Sequence, residues 1–261
     1  MEYRFARRSD RVEDSFIVEI FKYLQDKEMI SFSGGFPNPD SFPVEQLNAA
    51  SQKVFESNGK NVLQYAQTEG FAPLREFISK RYKQIHDLDI SSDEILITSG
   101  SQQALDFIAK TFLDPQDKVL IEEPSYLGAI QTFNSYEADF ITVHLNEDGI
   151  DLVSLKEKLT HHQPKLIYII PNFQNPSGVS YSDENRTGLA EIVKQFNVIV
   201  IEDDPYGELH FTDMIRTPLK KLGLLPMIAR YSSWVTSYLP IQKPRLIVTA
   251  VCGPSSSKRS T

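Results

Sequence analysis

The chain has 261 residues and a mass of 29.7 kDa, enough for one large domain or two small ones. With 41% hydrophobic and 24% charged residues, its composition excludes wholesale disorder. A net charge of −8 argues against nucleic acid as a partner, and the single cysteine, Cys252, excludes an internal disulfide. No apolar run reaches the ~18 residues of a membrane helix, and the first residues lack the charged-then-apolar profile of a secretory signal, so we expect a cytoplasmic protein without a membrane partner.

The charge is distributed unevenly along the chain. The last acidic residue is Asp213, so none of the 35 acidic residues lies in the final 48 residues, which carry eight basic ones. We therefore expect the normal fold to end near residue 228. The alternative is a basic tail that binds an acidic partner.

Strand and helix patterns alternate through the middle of the chain. Apolar residues at helical spacing predict helices over 102–113 and 184–196. Short apolar runs predict five strands, at 95–97, 118–121, 140–143, 166–170 and 198–201. Continuous apolar strands that alternate with helices form a mostly parallel sheet covered by helices on both faces, so the sequence predicts an α/β fold.

In such sheets the ligand binds outside the carboxyl ends of the strands, so the segments after the strands are the candidates for chemistry. Gly100, Ser101 and Gln102 lie between a strand and a helix, and a helix N-terminus attracts anions, phosphate above all. The alternative is that Ser101 is an ordinary helix cap.

Asp203 and Tyr206 follow the last predicted strand. A buried carboxylate there could pair with a protonated ring nitrogen, while the phenol donates to an oxygen beside it. The alternatives are a solvated acidic loop or a metal site. A metal is disfavoured because His161 and His162 are adjacent and fall in a predicted loop.

Two further strand-end segments carry polar or aromatic groups. Asn175, before a proline, is typical of a turn, but its side chain could also donate to an anionic ligand oxygen. Tyr126 could stack on an aromatic cofactor or could be an ordinary tyrosine.

The order and placement of these groups resemble the cofactor site of fold-type I pyridoxal-phosphate enzymes. The sequence is most similar to class I/II aminotransferases of the branch that includes 2-aminoadipate and kynurenine aminotransferases. The resemblance runs from about residue 3 to about residue 225 and is carried by five blocks: 30–39, 63–65, 70–75, 171–178 and 202–206. It implies an N-terminal arm and substrate loop over 1–45, an incomplete cofactor-binding large domain over 46–227 and an aberrant basic tail over 228–261.

The resemblance also implies a role for each matching residue. Ser101 and Gln102 would hold the cofactor phosphate, and Tyr126 would stack on the pyridine ring. Asp203 would keep the ring nitrogen protonated, which makes the cofactor an electron sink. Tyr206 would donate to the ring oxygen.

Three more residues would contact the substrate or the partner subunit. Asn175 would bond the ring oxygen and the substrate carboxylate side, and Gly35 would offer its backbone to the substrate carboxylate. Tyr65 would reach into the partner subunit's site, which implies a homodimer.

The sequence departs from the family where the covalent lysine is expected. Alignment of Pro244 and Leu246 with the family pattern puts Pro240 at that position, and Lys243 lies three residues out of register. Whether Lys243 takes the role stays open, so no catalytic residue is assigned. We expect the C-terminal small domain of the family to be missing as well, and we expect this chain to have little or no transaminase activity.

The resemblance implies a pyridoxal-phosphate-dependent aminotransferase by descent, which moves an amino group between an amino acid and a 2-oxo acid. The alternatives are a non-catalytic cofactor-binding remnant and a lyase or decarboxylase of the same fold. Relatives that accept 2-aminoadipate have an arginine where this chain has Val18, which favours uncharged or aromatic substrates.

Overall fold

The computed structural model describes residues 4–6, 8, 38, 40, 42–209 and 216–223, together with the backbone of 228–229, 234–235 and 247–251. The chain divides into two compact units, Met1–Tyr65 with Gly253–Thr261, and Ala66–Cys252. In the first unit, helix α1 spans Val44–Val62. The remaining elements belong to the second unit.

The second unit alternates helices and strands. Its helices are α2 (Ala72–His86), α3 (Ser101–Phe112), α4 (Leu127–Ser135), α5 (Leu152–His162) and α6 (Asp183–Val193). Its strands are β1 (Ile95–Thr98), β2 (Lys118–Glu123), β3 (Asp139–Asn146), β4 (Gly149–Ile150), β5 (Leu166–Ile169), β6 (Ile199–Glu202), β7 (Ile228–Ala229), β8 (Trp234–Val235) and β9 (Ile247–Val251). Short 3₁₀ turns occupy Ser92–Glu94 and Leu219–Leu222.

Four strands of the larger sheet run parallel in the order β3-β2-β5-β6, and β4 pairs antiparallel with β3 at one edge. The register places Val119 of β2 between Phe140 of β3 and Leu166 of β5. Strand β1 lies in a second sheet, where it pairs in parallel with β9. Because β3 and β5 lie on opposite sides of β2, the strand order reverses there, and such reversals leave a crevice at the carboxyl ends of the strands.

Side chains of β2 alternate between two cores, one on each face of the sheet. Val119 is fully buried in a core with Leu105 of α3, to which α4 also contributes. Leu120, the next residue, is buried in a second core with Leu155 of α5 and Leu189 of α6. The predicted α/β fold with helices on both faces is thereby confirmed, and the apolar runs are continuous because both faces are covered.

The predicted elements are present, with corrected ends. Strand β3 extends to Asn146 because it pairs with β2 as far as His144 and then with β4 through Leu145 and Asn146. The assignment of His161 and His162 to a loop is wrong, since both lie in the last turn of α5. Helices α2, α4 and α5 and strand β4 were not predicted, because their apolar residues are too sparse or too short-ranged to show a clear period.

The described part of the chain has neither a membrane-spanning helix nor a metal-binding cluster. None of its helices combines the length and apolarity needed to cross a bilayer. No group of three or more His, Cys, Asp or Glu side chains is placed there to hold a metal ion. The domain boundaries at residues 45 and 227 stay predictions, and three short strands, β7 to β9, lie beyond residue 227.

Candidate active site

A cavity of about 90 Å³ lies where β1, β2, β5 and β6 are followed by loops. Five of the residues that the sequence singles out line it together, along with two apolar ones: Ser101, Tyr126, Ile170, Asn175, Asp203, Pro205 and Tyr206. These side chains come from four segments that span more than 100 residues of sequence. Three of the segments meet because the parallel strands β2, β5 and β6 of the larger sheet have their carboxyl ends on the same side, and the fourth follows β1 of the second sheet.

The N-terminus of helix α3 forms one wall of the cavity. Its cap is Gly100, with φ 90° and ψ 171°, and no side chain caps this end. The alternative that Ser101 is an N-cap is therefore wrong, since Ser101 is the first helical residue and lines the cavity. A helix end without a side-chain cap leaves backbone N–H groups for an anion.

Gln102 does not line the cavity. Its side-chain amide donates to the carbonyl of Gly128 (3.2 Å) and to Oγ1 of Thr132 (3.0 Å), and thereby ties helix α3 to helix α4. Because the side chain is engaged in these bonds, only the backbone N–H of Gln102 could hold a phosphate.

Asp203 is the most strongly perturbed group at the cavity. It is 3% exposed, and its Oδ2 accepts a hydrogen bond from Oη of Tyr168 at 2.5 Å. Its Oδ1 is buried and has no hydrogen-bond partner among the described residues. Burial raises the pKa of Asp203 well above its ordinary range, the bond from Tyr168 opposes this, and the nearby charges of Asp204 and Glu122 add to it.

Tyr126 and Tyr206 stand on the same cavity. Burial, together with the negative potential of Asp203 and Tyr206, raises the pKa of Tyr126, so its phenol stays protonated at neutral pH. Tyr206 is 36% exposed. Asn175 lies on the loop after β5, whose turn is closed by a bond from the Ser177 N–H to the side chain of Gln174 (2.8 Å).

A buried polar network behind the cavity was not predicted from the sequence. Glu122, 1% exposed, accepts hydrogen bonds from Oη of Tyr181 (2.6 Å), from Nε2 of Gln174 (3.0 Å) and from the Ile170 N–H (3.2 Å). Burial raises the pKa of Glu122 to about 7, although all three donors oppose the shift. The sequence does hold one signal for this network. Glu122 lies near the end of an apolar strand, and a sheet with helices on both faces buries such a position.

A second buried network joins the loops after β5 and β6 and was also missed. Arg186 of α6, 1% exposed, donates to Oδ1 of Asn172 (2.5 Å) and to the carbonyl of Pro171 (2.7 Å). Asn172 in turn donates to Oδ1 of Asp204 (2.8 Å). The guanidinium therefore holds the β5 loop directly and the β6 loop through one amide.

Of the other residues singled out from the sequence, Tyr65 is described and four are not. Tyr65 belongs to the first unit, and its side chain is fully exposed. Gly35 and Lys243, like Pro240 and Val18, lie outside the described residues. The described residues that line the cavity include no lysine.

Comparison with known proteins places the chain in a family. The family model for aminotransferase class I and II matches residues 27–238. Among curated proteins, the chain is 38% identical over 224 residues to aromatic-amino-acid aminotransferase 1 of Thermococcus litoralis, a match that covers 84% of this chain and 54% of that protein. It is 41% identical over 207 residues to the 2-aminoadipate transaminase of Thermus thermophilus, with 79% and 51% covered.

Solved structures agree with the sequence matches. The kynurenine aminotransferase of Pyrococcus horikoshii, whose crystal structure contains PMP, superimposes with a TM-score of 0.80 and 37% identity, covering 87% of this chain and 57% of that one. The α-aminoadipate aminotransferase LysN of Thermus thermophilus, complexed with N-(5'-phosphopyridoxyl)-L-leucine, gives 0.79 and 38%, with 88% and 57% covered. The chain spans about half the length of the curated relatives it matches. On the extent of these matches, and with the fold and cavity described above, the chain belongs to the class I and II aminotransferase family.

Proposed function

We propose that the cavity at the strand ends binds pyridoxal phosphate and that the function of the protein, by descent, is the transfer of amino groups between an amino acid and a 2-oxo acid, with little activity left in this chain. Pyridoxal phosphate is the cofactor of this family. The observation that carries the proposal is that Asp203 lines the cavity and has a buried Oδ1 without a hydrogen-bond partner among the described residues. A buried carboxylate oxygen without a donor is costly, and a protonated ring nitrogen supplies a donor of the right charge.

The residues around Asp203 fit the rest of the cofactor. The first turn of α3, from Ser101, would receive the phosphate, since its backbone N–H groups carry the positive end of the helix dipole. Space is available beside it, because a Cβ built on Gly100 would meet no atom within 4 Å. Tyr126 would cover one face of the ring, and Asn175 and Tyr206 would donate to its ring oxygen.

When bound, the cofactor supplies an electron sink for a carbanion at the substrate Cα. The chain's own contribution would be electrostatic. Asp203, held in one orientation by Tyr168, would keep the proton on the ring nitrogen, and the closed environment of the carboxylate makes that ion pair stronger than it would be at a surface. The similarity to an aromatic-amino-acid aminotransferase and the valine at position 18 support an uncharged or aromatic amino acid as substrate.

We also infer a homodimer in the cytoplasm. Helix α1 exposes several large apolar side chains, Leu47, Val54 and Phe55 among them, which is the kind of surface that a second copy covers. Tyr65 is fully exposed two residues beyond the C-terminal cap of that helix, as expected of a residue that contacts a partner's site.

The proposal is tested by titrating the chain with pyridoxal phosphate and following the cofactor absorbance. Saturable binding is expected, and Asp203→Ala should weaken it by about tenfold or more, because a charge-assisted bond is lost. Asp106→Ala is the matched control: Asp106 also accepts from a tyrosine, Tyr136 at 2.7 Å, but does not line the cavity. Equal weakening by both variants, or no saturable binding by the parent chain, would contradict the assignment of the cavity.

A further inference from the structure

The loops that carry Tyr126 and Asn175 are joined behind the cavity by one side chain, Gln174. Its Nε2 donates to the carbonyl of Pro124 (2.7 Å), two residues before Tyr126, and its Oε1 accepts from the N–H of Ser177 (2.8 Å), two residues after Asn175. Gln174 is 1% exposed and does not line the cavity. Its amide therefore fixes the separation of the two loops without touching a ligand.

The orientation of that amide is set by Glu122. The second bond of Nε2 goes to Oε2 of Glu122 (3.0 Å), whose carboxylate also accepts from the N–H of Ile170, a residue of the cavity wall. A carboxylate accepts only, so it selects the amide orientation in which Nε2 faces Glu122 and Oε1 faces Ser177. A reversed amide would place two acceptors together and two donors together.

We propose that Glu122 is a positioning residue of the cofactor site, acting through Gln174 to hold Tyr126 and Asn175 at the separation that the ring requires. The inference rests on the proposed function, because it concerns the geometry of the same cavity. Neither Glu122 nor Gln174 would contact the cofactor. They would instead determine the positions of Tyr126 and Asn175, and a displacement of these two side chains weakens cofactor binding although both are still present.

The charge of Glu122 matters as well as its shape. Two titratable groups lie near it: Tyr181, which donates to it, and Asp203, whose pKa its charge helps to raise. Protonation of Glu122 turns one acceptor oxygen into a donor and weakens the bond to Gln174. Because burial raises the pKa of Glu122 to about 7, this change falls near neutral pH.

Glu122→Gln and Gln174→Met test the inference in the cofactor-free chain and in the cofactor titration. Each variant should weaken pyridoxal phosphate binding by about tenfold at pH 8, the equivalent of one bond to a charged group. The double variant should be no weaker than either single one, since both break the same link. For Glu122→Gln the difference from the parent chain should shrink at pH 6, where the parent carries a proton on Glu122.

Hydrogen exchange gives a readout that needs no cofactor. Amides within residues 170–178 should exchange faster in both variants, because Glu122→Gln weakens the acceptor of the Ile170 N–H and Gln174→Met removes the acceptor of the Ser177 N–H. Glu202→Gln is the matched control: Glu202 is also fully buried at a strand end, but its carboxylate accepts from the N–H of Leu219. It should leave exchange of residues 170–178 unchanged.

The outcomes separate the two proposals. If the parent chain does not bind the cofactor, the proposed function fails, and exchange alone decides whether the Glu122 link exists. If the parent binds and both variants bind equally well at pH 8, the positioning role is wrong. It is also wrong if Glu202→Gln reproduces both effects, because the loss would then belong to any buried carboxylate.

Discussion

At the residue scale, the site depends on carboxylates that the fold has removed from water. Glu122 has a pKa raised from 4.5 to about 7 by burial. Between these values the folded chain holds a proton that the unfolded chain has released, so the contribution of Glu122 to the free energy of unfolding is full below pH 4.5 and declines as the pH rises to 7. The decline amounts to about 3 kcal/mol at 1.36 kcal/mol per pKa unit.

Glu122→Gln removes this titration and gives a test. Between pH 5 and pH 8, the free energy of unfolding of the variant should gain about 2 to 3 kcal/mol relative to that of the parent chain, measured by urea denaturation at each pH. Glu123→Gln, at the exposed neighbouring position, should track the parent. A constant difference between Glu122→Gln and the parent would show that Glu122 titrates normally.

A glycine controls the position of the stacking ring. A methyl group on Gly128 would lie 2.6 Å from Cε1 and Cζ of Tyr126, so Gly128→Ala must displace the ring. We expect binding of pyridoxal phosphate to weaken by about three- to tenfold, the loss of one aromatic contact, with little change in stability because the displaced atoms are the tip of a side chain. Gly59→Ala, also on a helix, has only an ordinary contact and should bind as the parent does. Unchanged affinity of Gly128→Ala would exclude stacking by Tyr126.

At the element scale, helix α6 holds the two loops that follow β5 and β6. Arg186 on this helix donates to the β5 loop at Pro171 and Asn172, and to the carbonyl of Thr217 (3.1 Å). Asn172 in turn donates a hydrogen bond to Asp204 of the β6 loop. The loops therefore stand on a helix that is itself packed in the second core, which keeps a site made of loops rigid.

Arg186→Met should lower the free energy of unfolding by about 3 kcal/mol or more, because it leaves several buried acceptors without their donor and removes the positive charge that lies near Asp204. Arg81→Met removes a partly exposed pair with Glu208 and should cost less than about 1 kcal/mol. Thermal or urea unfolding of the two variants side by side measures the difference. Similar small losses would mean that the Arg186 network does not stabilise the fold.

At the scale of the whole molecule, the prediction that a proline, Pro240, stands where the family has its covalent lysine is joined by a described cavity lining that includes no lysine. We therefore expect this chain to hold pyridoxal phosphate without a covalent bond and to show little or no transaminase activity, because a positioned acid–base group contributes about 10²- to 10⁴-fold. Borohydride treatment followed by mass spectrometry of the peptides should find no fixed label. A label on Lys243 would assign the covalent role to that residue instead.

The sequence determined the features that depend on local periodicity and on short blocks. Apolar runs such as 118–121 and 166–170 identified parallel strands, and the residues that follow the strands identified Ser101, Tyr126, Asn175, Asp203 and Tyr206 as one set. The five residues line one cavity because the carboxyl ends of neighbouring parallel strands lie on the same side of a sheet, and their roles toward a cofactor stay predictions. Helix α5, with two buried leucines in eleven residues, gave no such pattern, and its two terminal histidines were placed in a loop.

Only the tertiary structure decided which polar atoms have partners. Asp203 acquires its perturbed pKa and its unpaired oxygen because Tyr168, 35 residues earlier, lies on the neighbouring strand and bonds the other oxygen. Glu122 meets Gln174 across 52 residues of sequence for the same reason. Burial and pairing depend on the register between strands and on what covers them, and a single sequence specifies neither by local pattern, since desolvation is a property of the assembled environment.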